Sequence, residues 1–323
     1  MIDNCCPQRL NFGARMTNRL KGKSAVITGG AGGIGQAMCL AFAAEGANVV
    51  VNDVGAARDG TGADRTPAEK VAAEIRARGG NAIANSDSVV DFAAAERLIK
   101  TCIAEFGRID VLVNCHGNLR DRMVWNMTEE DWDLVTNINL KGTFNTCRHA
   151  AVFMRGQKFG RIINAASDAW RGTVGHVNYG AAKGGVISLT RAIAREMWRY
   201  HVTANCFVPI AATRMSVNEE VRAGIDKRLA AGLITRALYD SMMNPPGPEH
   251  IPPIAVYLAT EEGGSINGQV FHIEKGRLGI YSQETEVRQI FNTGEVWELG
   301  RLVQDIPRTL LQGYINPAPP ENR

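Results

Sequence analysis

The sequence predicts an α/β fold in which a doubly wound parallel sheet carries helices on both faces, in a single domain with a helical lid and a C-terminal extension. Short apolar segments rich in β-branched residues alternate with amphipathic helical segments along residues 20–210. A glycine-rich turn separates the first apolar segment from the first helix. Such alternation predicts parallel strands linked by right-handed crossovers. Ligands of these sheets bind beyond the carboxyl ends of the strands, so the residues that end each strand are candidates for function.

The first half of the chain shows this alternation most clearly, because its strands are apolar and its helices are ended by glycines. Apolar residues recur every three or four positions in the helical segments, as expected for helices with one buried face. Four strands are predicted over residues 24–28, 47–53, 81–85 and 109–114. Helices are predicted directly after the glycine turn and over residues 68–78 and 91–106.

The second half continues the pattern and then changes. Thr128 and Asp131 have the spacing of a capping box and predict the start of a long helix. Strands are then predicted over residues 161–165, 202–208 and 268–273, with helices over 178–200 and near 254–258. Residues 214–247 combine many charges with scattered apolar residues, which favours a helical lid over a pocket.

These observations divide the chain into three regions. Residues 1–19 are polar and are predicted to be a flexible tail. Residues 20–276 are predicted to be the catalytic domain, with the lid at 214–247. Residues 277–323 are predicted to be an extension that packs on the domain or on a neighbouring subunit.

The composition excludes several classes of protein. The formal net charge is only +3 and the basic residues are scattered, so no nucleic-acid partner is expected. No apolar run approaches the roughly 20 residues of a membrane span, so no membrane partner is expected either. The seven cysteines form no disulfide framework, which favours a reduced, cytoplasmic protein. Cys115 and His116 lack two further ligands at zinc spacing, and no metal is predicted.

The glycine turn predicts a dinucleotide site. Glycines permit a tight turn, and main-chain N–H groups at the start of the following helix can then approach a pyrophosphate. The position between a strand and a helix makes this pattern specific. The residues predicted to contact the cofactor here are Gly29, Gly33, Ile34 and Gly35.

Asp53 ends the second predicted strand, 18 residues after Gly35. A carboxylate at this place can accept hydrogen bonds from both ribose hydroxyls of NAD and repels the 2′-phosphate of NADP. We therefore predict NAD as the cofactor. Arg58 and Arg65 in the following loop leave NADP open, and a simple role in the turn is the other interpretation of Asp53.

Polar residues follow the third and fourth predicted strands. Asp87 and Ser88 are placed to contact the adenine, although N-capping of the next helix is an alternative. Asn114 and Gly117 bracket a segment whose backbone is expected to pass beneath the cofactor. Cys115 and His116, between them, are expected to pack.

Tyr179 and Lys183 are spaced by one helical turn and lie on the same helix face. A phenol has a pKa of about 10, and a nearby ammonium is expected to lower it. Such a phenol beside a dinucleotide can move a proton while hydride transfer occurs. Ser167 ends the fifth strand and can hydrogen-bond a substrate oxygen. Its neighbour Asp168 is expected to lie at the rim of the pocket.

Asn139 lies on the inward stripe of the long helix, where an unpaired amide would be costly. It is predicted either to hold a water against Lys183 and so connect Tyr179 to solvent, or to cap a kink in the helix backbone. The sequence leaves both interpretations open.

Together these residues resemble the short-chain dehydrogenase/reductase family over roughly residues 20–275. The resemblance implies a Rossmann-like fold and a catalytic tetrad of Asn139, Ser167, Tyr179 and Lys183. It also implies that Tyr179 and Lys183 contact the cofactor. The further cofactor residues that it implies, after the sixth strand, are Pro209, Ile210 and Thr213.

Several segments are similar, more narrowly, to the (3R)-hydroxyacyl-CoA dehydrogenase domains of peroxisomal multifunctional enzymes of type 2; they are residues 49–53, 75–80, 106–110 and 119–122. This resemblance implies NAD-dependent interconversion of a secondary alcohol and a ketone, with a 3-hydroxyacyl-CoA as the first candidate substrate. A steroid, terpenoid or other cyclic or aromatic alcohol is the second candidate, and a non-catalytic NAD-binding scaffold is a third reading. The family also implies a small-molecule substrate and a homodimer or homotetramer.

Overall fold

A computed structural model describes residues 18–56, 62, 64–212, 219–232, 234–292, 294 and 296–315. Its centre is one sheet of eight strands in the order β3-β2-β1-β4-β5-β6-β7-β8. The strands are β1 Ser24–Thr28, β2 Asn48–Asn52, β3 Asn81–Asn85, β4 Val111–Asn114, β5 Gly160–Ala165, β6 Val202–Ile210, β7 Val270–Glu274 and β8 Arg277–Ile280. All neighbours pair in parallel except β7 and β8, which are antiparallel.

The described ranges contain ten α-helices. They are α1 Gly33–Ala44, α2 Thr66–Ala77, α3 Phe92–Phe106, α4 Glu129–Thr136, α5 Gly142–Gln157, α6 Val177–Met197, α7 Glu219–Ala230, α8 Arg236–Met243, α9 Pro252–Ala259 and α10 Leu299–Arg308. Of these, α1, α2, α3, α5, α6 and α9 contribute residues to the apolar layers on the sheet. The strand order reverses between β1 and β4, which is the switch point where ligands of such sheets bind.

Alternation of side chains along the strands builds the two apolar layers. In β1, Ala25 and Ile27 are buried in a cluster that includes residues of α1, α2 and α9. Val26 points the other way and is buried with residues of α3, α5 and α6. Because both faces of each central strand are covered, apolar side chains occupy both faces of these strands, as is common in parallel sheets.

The predicted doubly wound sheet is confirmed, and most strand limits agree within two residues. Two features differ. The long helix expected from Thr128 is interrupted by a π-helical segment, Asn137–Lys141, between α4 and α5. The sheet also continues past residue 276, because Arg277–Ile280 turns back as β8 within the segment that was assigned to the extension.

The predicted lid region contains α7 and α8, which contact each other. Ile225 of α7 is buried. Thr213, a predicted cofactor residue, lies outside the described residues, as does residue 233. The predicted tail at 1–19 is described only from residue 18 onwards.

Candidate active site

Tyr179 and Lys183 lie one turn apart on α6 and are both buried, at 8% and 4% exposure. Lys183 Nζ donates a hydrogen bond of 2.8 Å to the main-chain oxygen of Ala165, the last residue of β5. Nζ also lies 5.6 Å from the centroid of the Tyr179 ring. The helix thus holds both groups against the carboxyl end of the sheet, as the spacing in the sequence predicts.

Burial sets the ionisation of both groups. It raises the pKa of Tyr179 to about 12, a rise that a hydrogen bond with Ser167 opposes and the charge of Asp121 reinforces. The lowered Tyr179 pKa expected from Lys183 is therefore wrong for this state of the protein. Burial also lowers the pKa of Lys183 to about 8. Loss of solvation in the buried site is the largest cause of both shifts, since it disfavours the charged form of each group.

Ser167 lies two residues beyond β5 and begins a short 3₁₀ turn, Asp168–Arg171. Its Oγ accepts a hydrogen bond of 3.3 Å from the main-chain N–H of Ala169. The side chain is also near enough to the Tyr179 hydroxyl to lower the pKa of that phenol. Ser167 and Tyr179 are therefore brought together, so that one oxygen atom of a ligand can contact both.

Asn139 is fully buried in the π-helical segment. Its Nδ2 donates hydrogen bonds of 3.0 Å to the main-chain oxygens of Asn118 and Val135 and to Asn118 Oδ1. The bond to Val135 satisfies a carbonyl at the irregular turn, which is the capping interpretation of this residue. Asn139 Oδ1 is buried without a hydrogen-bond partner among the described residues. A Cβ built at Gly117 would lie 2.7 Å from that oxygen and 3.9 Å from Lys183 Nζ.

The glycine turn has the geometry that its sequence predicts. Gly29 and Gly33 have φ values of +65° and +51°, which disfavour any side chain. A Cβ at Gly35 would lie 1.9 Å from the oxygen of Gly29, so the turn packs tightly against α1. Helix α1 begins without a side-chain cap or an acidic residue in its first turn. Ile34 packs against the core. The main-chain N–H groups at the start of α1 are therefore suited to bind an anionic pyrophosphate.

Asp53 follows β2 and lies against the glycine turn. Its Oδ2 accepts a hydrogen bond of 3.0 Å from the N–H of Ala31, and its Oδ1 accepts one of 2.8 Å from the N–H of Gly55. These bonds aim the carboxylate beside the start of α1. Each oxygen keeps acceptor capacity for a further donor.

Asp87 is held by its neighbours on both sides. Its Oδ1 accepts hydrogen bonds of 3.1 and 2.8 Å from Arg97, and its Oδ2 accepts one of 2.9 Å from Asn85. The alternative role of Asp87 as the cap of α3 is wrong, because Asp91 occupies the cap position and accepts from a main-chain N–H at 2.6 Å. Ser88 Oγ accepts a longer bond, of 3.4 Å, from the backbone.

Asn114 belongs to a row of buried polar side chains across the sheet. Its Nδ2 donates to Asn164 Oδ1 at 2.8 Å, and its Oδ1 accepts from Thr28 and Thr146 at 3.2 and 2.8 Å. Asn164 donates in turn to Thr190 at 2.9 Å. The amide of Asn114 is thus used inside the protein, and it fixes the backbone that continues to Gly117.

Cys115 and His116 pack as expected. Nδ1 of His116 lies 2.6 Å from the Thr28 hydroxyl, and burial lowers its pKa to about 3. Burial raises the pKa of Cys115 to about 12. Within the ranges that the structure describes, no three His, Cys, Asp or Glu side chains form a group that could hold a metal ion. Pro209 and Ile210 are half-buried at the end of β6.

A family model described as short chain dehydrogenase matches residues 23–224, which is more than half of the chain. The chain belongs to the short-chain dehydrogenase family. Members of this family are oxidoreductases that act on hydroxyl groups and generally use NAD or NADP. Among the described helices, none has the length and apolar character needed to cross a membrane.

Two relatives of this short-chain dehydrogenase are larger proteins. The chain is 37% identical over 287 residues to the peroxisomal hydratase-dehydrogenase-epimerase of Neurospora crassa, covering 88% of this chain and 30% of that protein. It is 41% identical over 244 residues to peroxisomal multifunctional enzyme type 2 of Drosophila melanogaster, covering 75% of this chain and 37% of that protein. The chain therefore spans roughly a third of the length of these relatives.

Other relatives are of similar length. The chain is 34% identical over 299 residues to hydroxyacyl-CoA dehydrogenase ChsB1 of Mycobacterium tuberculosis, with 89% of each chain covered. A crystal structure of a short chain dehydrogenase from Mycobacterium avium superposes with a TM-score of 0.76 at 37% identity, covering 94% of this chain and 99% of that one.

Sequence reasoning missed three contributors to the site. Arg97 holds Asp87 from the third helix, and Asp121 raises the pKa of Tyr179 from a loop. Tyr281 hydrogen-bonds Asp168 across 113 residues of sequence. Asp121 lies in the segment 119–122 that carries the resemblance, but its effect on Tyr179, like the contacts of Arg97 and Tyr281, is visible only in the folded chain.

Proposed function

We propose that this short-chain dehydrogenase oxidises a 3-hydroxyacyl-CoA to the 3-ketoacyl-CoA with NAD, or catalyses the reverse reaction. The observation that carries the proposal is the cluster of Tyr179, Ser167 and Lys183 at the carboxyl end of β5. The cluster lies in the same sheet edge as the glycine turn and Asp53. A non-catalytic scaffold has no need for such an arrangement.

The cofactor site follows from the donors and acceptors described above. The start of α1 would hold the pyrophosphate, and Asp53 the adenosine ribose. The bound dinucleotide supplies the hydride acceptor. Further residues that would line it are Gly29, Gly33, Ile34, Gly35, Asp87, Ser88, Asn114, Gly117, Tyr179, Lys183, Pro209, Ile210 and, outside the described residues, Thr213.

Tyr179 accepts the hydroxyl proton of the substrate during oxidation and donates it during reduction. Ser167 binds the same oxygen and stabilises the negative charge that develops there. The positive charge of Lys183 stabilises the phenolate form of Tyr179. In this proposal a water on Asn139 Oδ1, which has no hydrogen-bond partner among the described residues, links Lys183 to solvent.

The choice of NAD rests on Asp53. The N–H groups of Ala31 and Gly55 hold its carboxylate in place. The carboxylate is negatively charged and so cannot attract a 2′-phosphate. A phosphate placed there would meet a like charge, whereas ribose hydroxyls can donate to it.

The substrate class rests on the relatives and on the lid. ChsB1 is named as a hydroxyacyl-CoA dehydrogenase. A Thauera aromatica relative, 35% identical over 261 residues, is named as a (2S)-[(R)-hydroxy(phenyl)methyl]succinyl-CoA dehydrogenase subunit. In the predicted lid, Arg222, Lys227 and Arg236 are exposed cations that suit the phosphates of coenzyme A.

A substrate screen with NAD tests this proposal. Formation of NADH would be followed with 3-hydroxyacyl-CoAs of several chain lengths, with their free hydroxy acids, and with cyclic and aromatic alcohols. We expect turnover of the thioesters and much weaker turnover of the matching free acids. Turnover of cyclic alcohols alone would establish the second substrate class, and turnover of no alcohol would favour the scaffold reading.

We further propose a homodimer or homotetramer of this chain. Apolar side chains on α5 and α6 are left about half exposed, among them Phe144, Val152 and Val177. Helices that pack against a second copy would bury them. A monomeric mass at micromolar concentration would refute this. The predicted cytoplasmic location stays a prediction, since two relatives are named as peroxisomal.

A further inference from the structure

Tyr281 follows directly after β8 and reaches the loop that carries Ser167. Its hydroxyl donates a hydrogen bond to Asp168 Oδ1. Its main-chain N–H donates to the oxygen of Val270 in β7 at 2.9 Å, so the sheet fixes the backbone from which the side chain projects. Residues after 276 are thus connected to the residue next to Ser167, although the family model ends at residue 224.

Two further side chains lie beside this contact, while the Asp168 side chain stays 39% exposed. The Tyr281 ring packs edge-on against Trp170, with 5.9 Å between the ring centroids. His272 Nδ1 lies 3.9 Å from Asp168 Oδ2 and 3.4 Å from the Tyr281 hydroxyl. Burial and the Asp168 carboxylate raise the pKa of Tyr281 to about 12, so the hydroxyl keeps its proton and remains a donor.

Asp168 and Trp170 belong to the same short turn as Ser167. Ser167 accepts from the N–H of Ala169 through Oγ, and its main-chain oxygen accepts from the N–H of Trp170 at 3.2 Å. A turn this short has few internal hydrogen bonds, so contacts with side chains beyond it contribute to its position. Anchoring Asp168 therefore restricts the position of Ser167 Oγ.

We propose that Tyr281 is a positioning residue of the active site, which holds Asp168 and thereby fixes Ser167 for hydrogen bonding to the substrate oxygen. The inference rests on the proposed role of Ser167. It assigns a function in catalysis to the residues that follow β8. The contact acts through the turn, and Tyr281 itself touches neither substrate nor cofactor.

The test uses substitutions in the full-length protein. Tyr281→Phe removes the donor and keeps the ring, so Ser167 is held less well and kcat should fall about tenfold, which corresponds to about 1.4 kcal/mol of transition-state stabilisation. The Kd for NADH should stay unchanged. Asp168→Ala should cause a similar loss, whereas Asp168→Asn keeps an acceptor for Tyr281 and should restore most of kcat. In the double variant Tyr281→Phe with Asp168→Ala, the losses should not add.

Amide hydrogen exchange gives a readout that does not need turnover. In Tyr281→Phe the N–H groups of Ala169, Trp170 and Gly172 should exchange faster than in the wild type, because the turn is released. Tyr257→Phe is the matched control, since Tyr257 is half exposed on α9. It should change neither exchange nor kcat.

Two results would overturn the inference. One is unchanged exchange in the turn, and the other is additive losses in the double variant. If the wild type itself turned over no alcohol, the proposed function would fail, and the exchange rates alone would decide whether Tyr281 holds the turn.

Discussion

Lys183 Nζ donates a 2.8 Å hydrogen bond to the Ala165 carbonyl oxygen and lies only 5.6 Å from the Tyr179 ring centroid. The ammonium is therefore fixed by the end of β5 and faces the ring that it is expected to tune. Since burial raises the pKa of Tyr179 to about 12, the phenol is protonated at neutral pH in this state. The catalytic phenolate must be stabilised when the ligands bind.

The first prediction concerns the pH dependence of the reaction. Oxidation requires the phenolate of Tyr179, so its kcat/KM should rise by about tenfold per pH unit below the effective pKa of the phenol. Reduction requires the protonated phenol and should show no such rise. Rate profiles measured in both directions across neutral and alkaline pH would test this. Oxidation that is independent of pH would contradict the assignment.

Lys183→Met should stabilise the fold while it removes activity. Burial lowers the pKa of Lys183 from 10.5 to about 8 in the folded protein, so the unfolded chain binds more protons between these values. The free energy of unfolding of the wild type therefore rises with pH across this window, and below it the cost of the buried charge is fully present.

Denaturant unfolding of wild type and Lys183→Met at pH 7 and at pH 10 measures this effect. The variant should be the more stable at pH 7, and the difference should shrink at pH 10. Equal stability at both values would show that the Ala165 bond fully offsets the burial of the charge.

Asn139→Ala should cost both stability and turnover. It removes the hydrogen bonds that a fully buried amide donates to Asn118 and Val135, and we expect this loss to cost about 1–3 kcal/mol. Asn244→Ala is the matched control, because that amide bonds an exposed helix carbonyl. Urea unfolding and kcat would be measured for both. A stable variant with normal kcat would remove Asn139 from the site.

Asp53→Ala should narrow the preference for NAD over NADP. The variant loses the acceptor for the ribose hydroxyls and the charge that repels a 2′-phosphate. The ratio of kcat/KM with NAD to that with NADP should be high in the wild type and should fall in the variant. Comparable efficiency with both cofactors in the wild type would contradict the role given to Asp53.

The sequence was sufficient for the regular parts of the fold. The predicted limits of β1 and β3 match the observed ones. In both strands a short apolar run is bounded by glycine or polar residues, and the fold buries that run fully in β1 and partly in β3. The sequence offered a kink at Asn139 as one of two interpretations, but the π-helical form of Asn137–Lys141 could not be predicted. Asn139 there bonds to Asn118, 21 residues away, and sequence spacing does not show that contact. Strand β8 was missed because its exposed residues carry no alternating pattern.

The sequence predicted which residues form the candidate site, but it did not predict their pKa values. The one-turn spacing of Tyr179 and Lys183 follows from helix geometry, which sequence fixes directly. Their pKa values depend on how much surface the whole fold covers, and sequence spacing carries no measure of that. The contact of Tyr281 with Asp168 depends on where β8 places its last residue.

The most direct test of the central claim compares wild type and Tyr179→Phe with a 3-hydroxyacyl-CoA and NAD, following NADH formation. The substitution removes the proton acceptor and keeps the ring, so kcat should fall by several orders of magnitude while NADH still binds with its normal Kd. Near-normal turnover in Tyr179→Phe would contradict the account, because the proton of the substrate would then be taken by a group other than Tyr179.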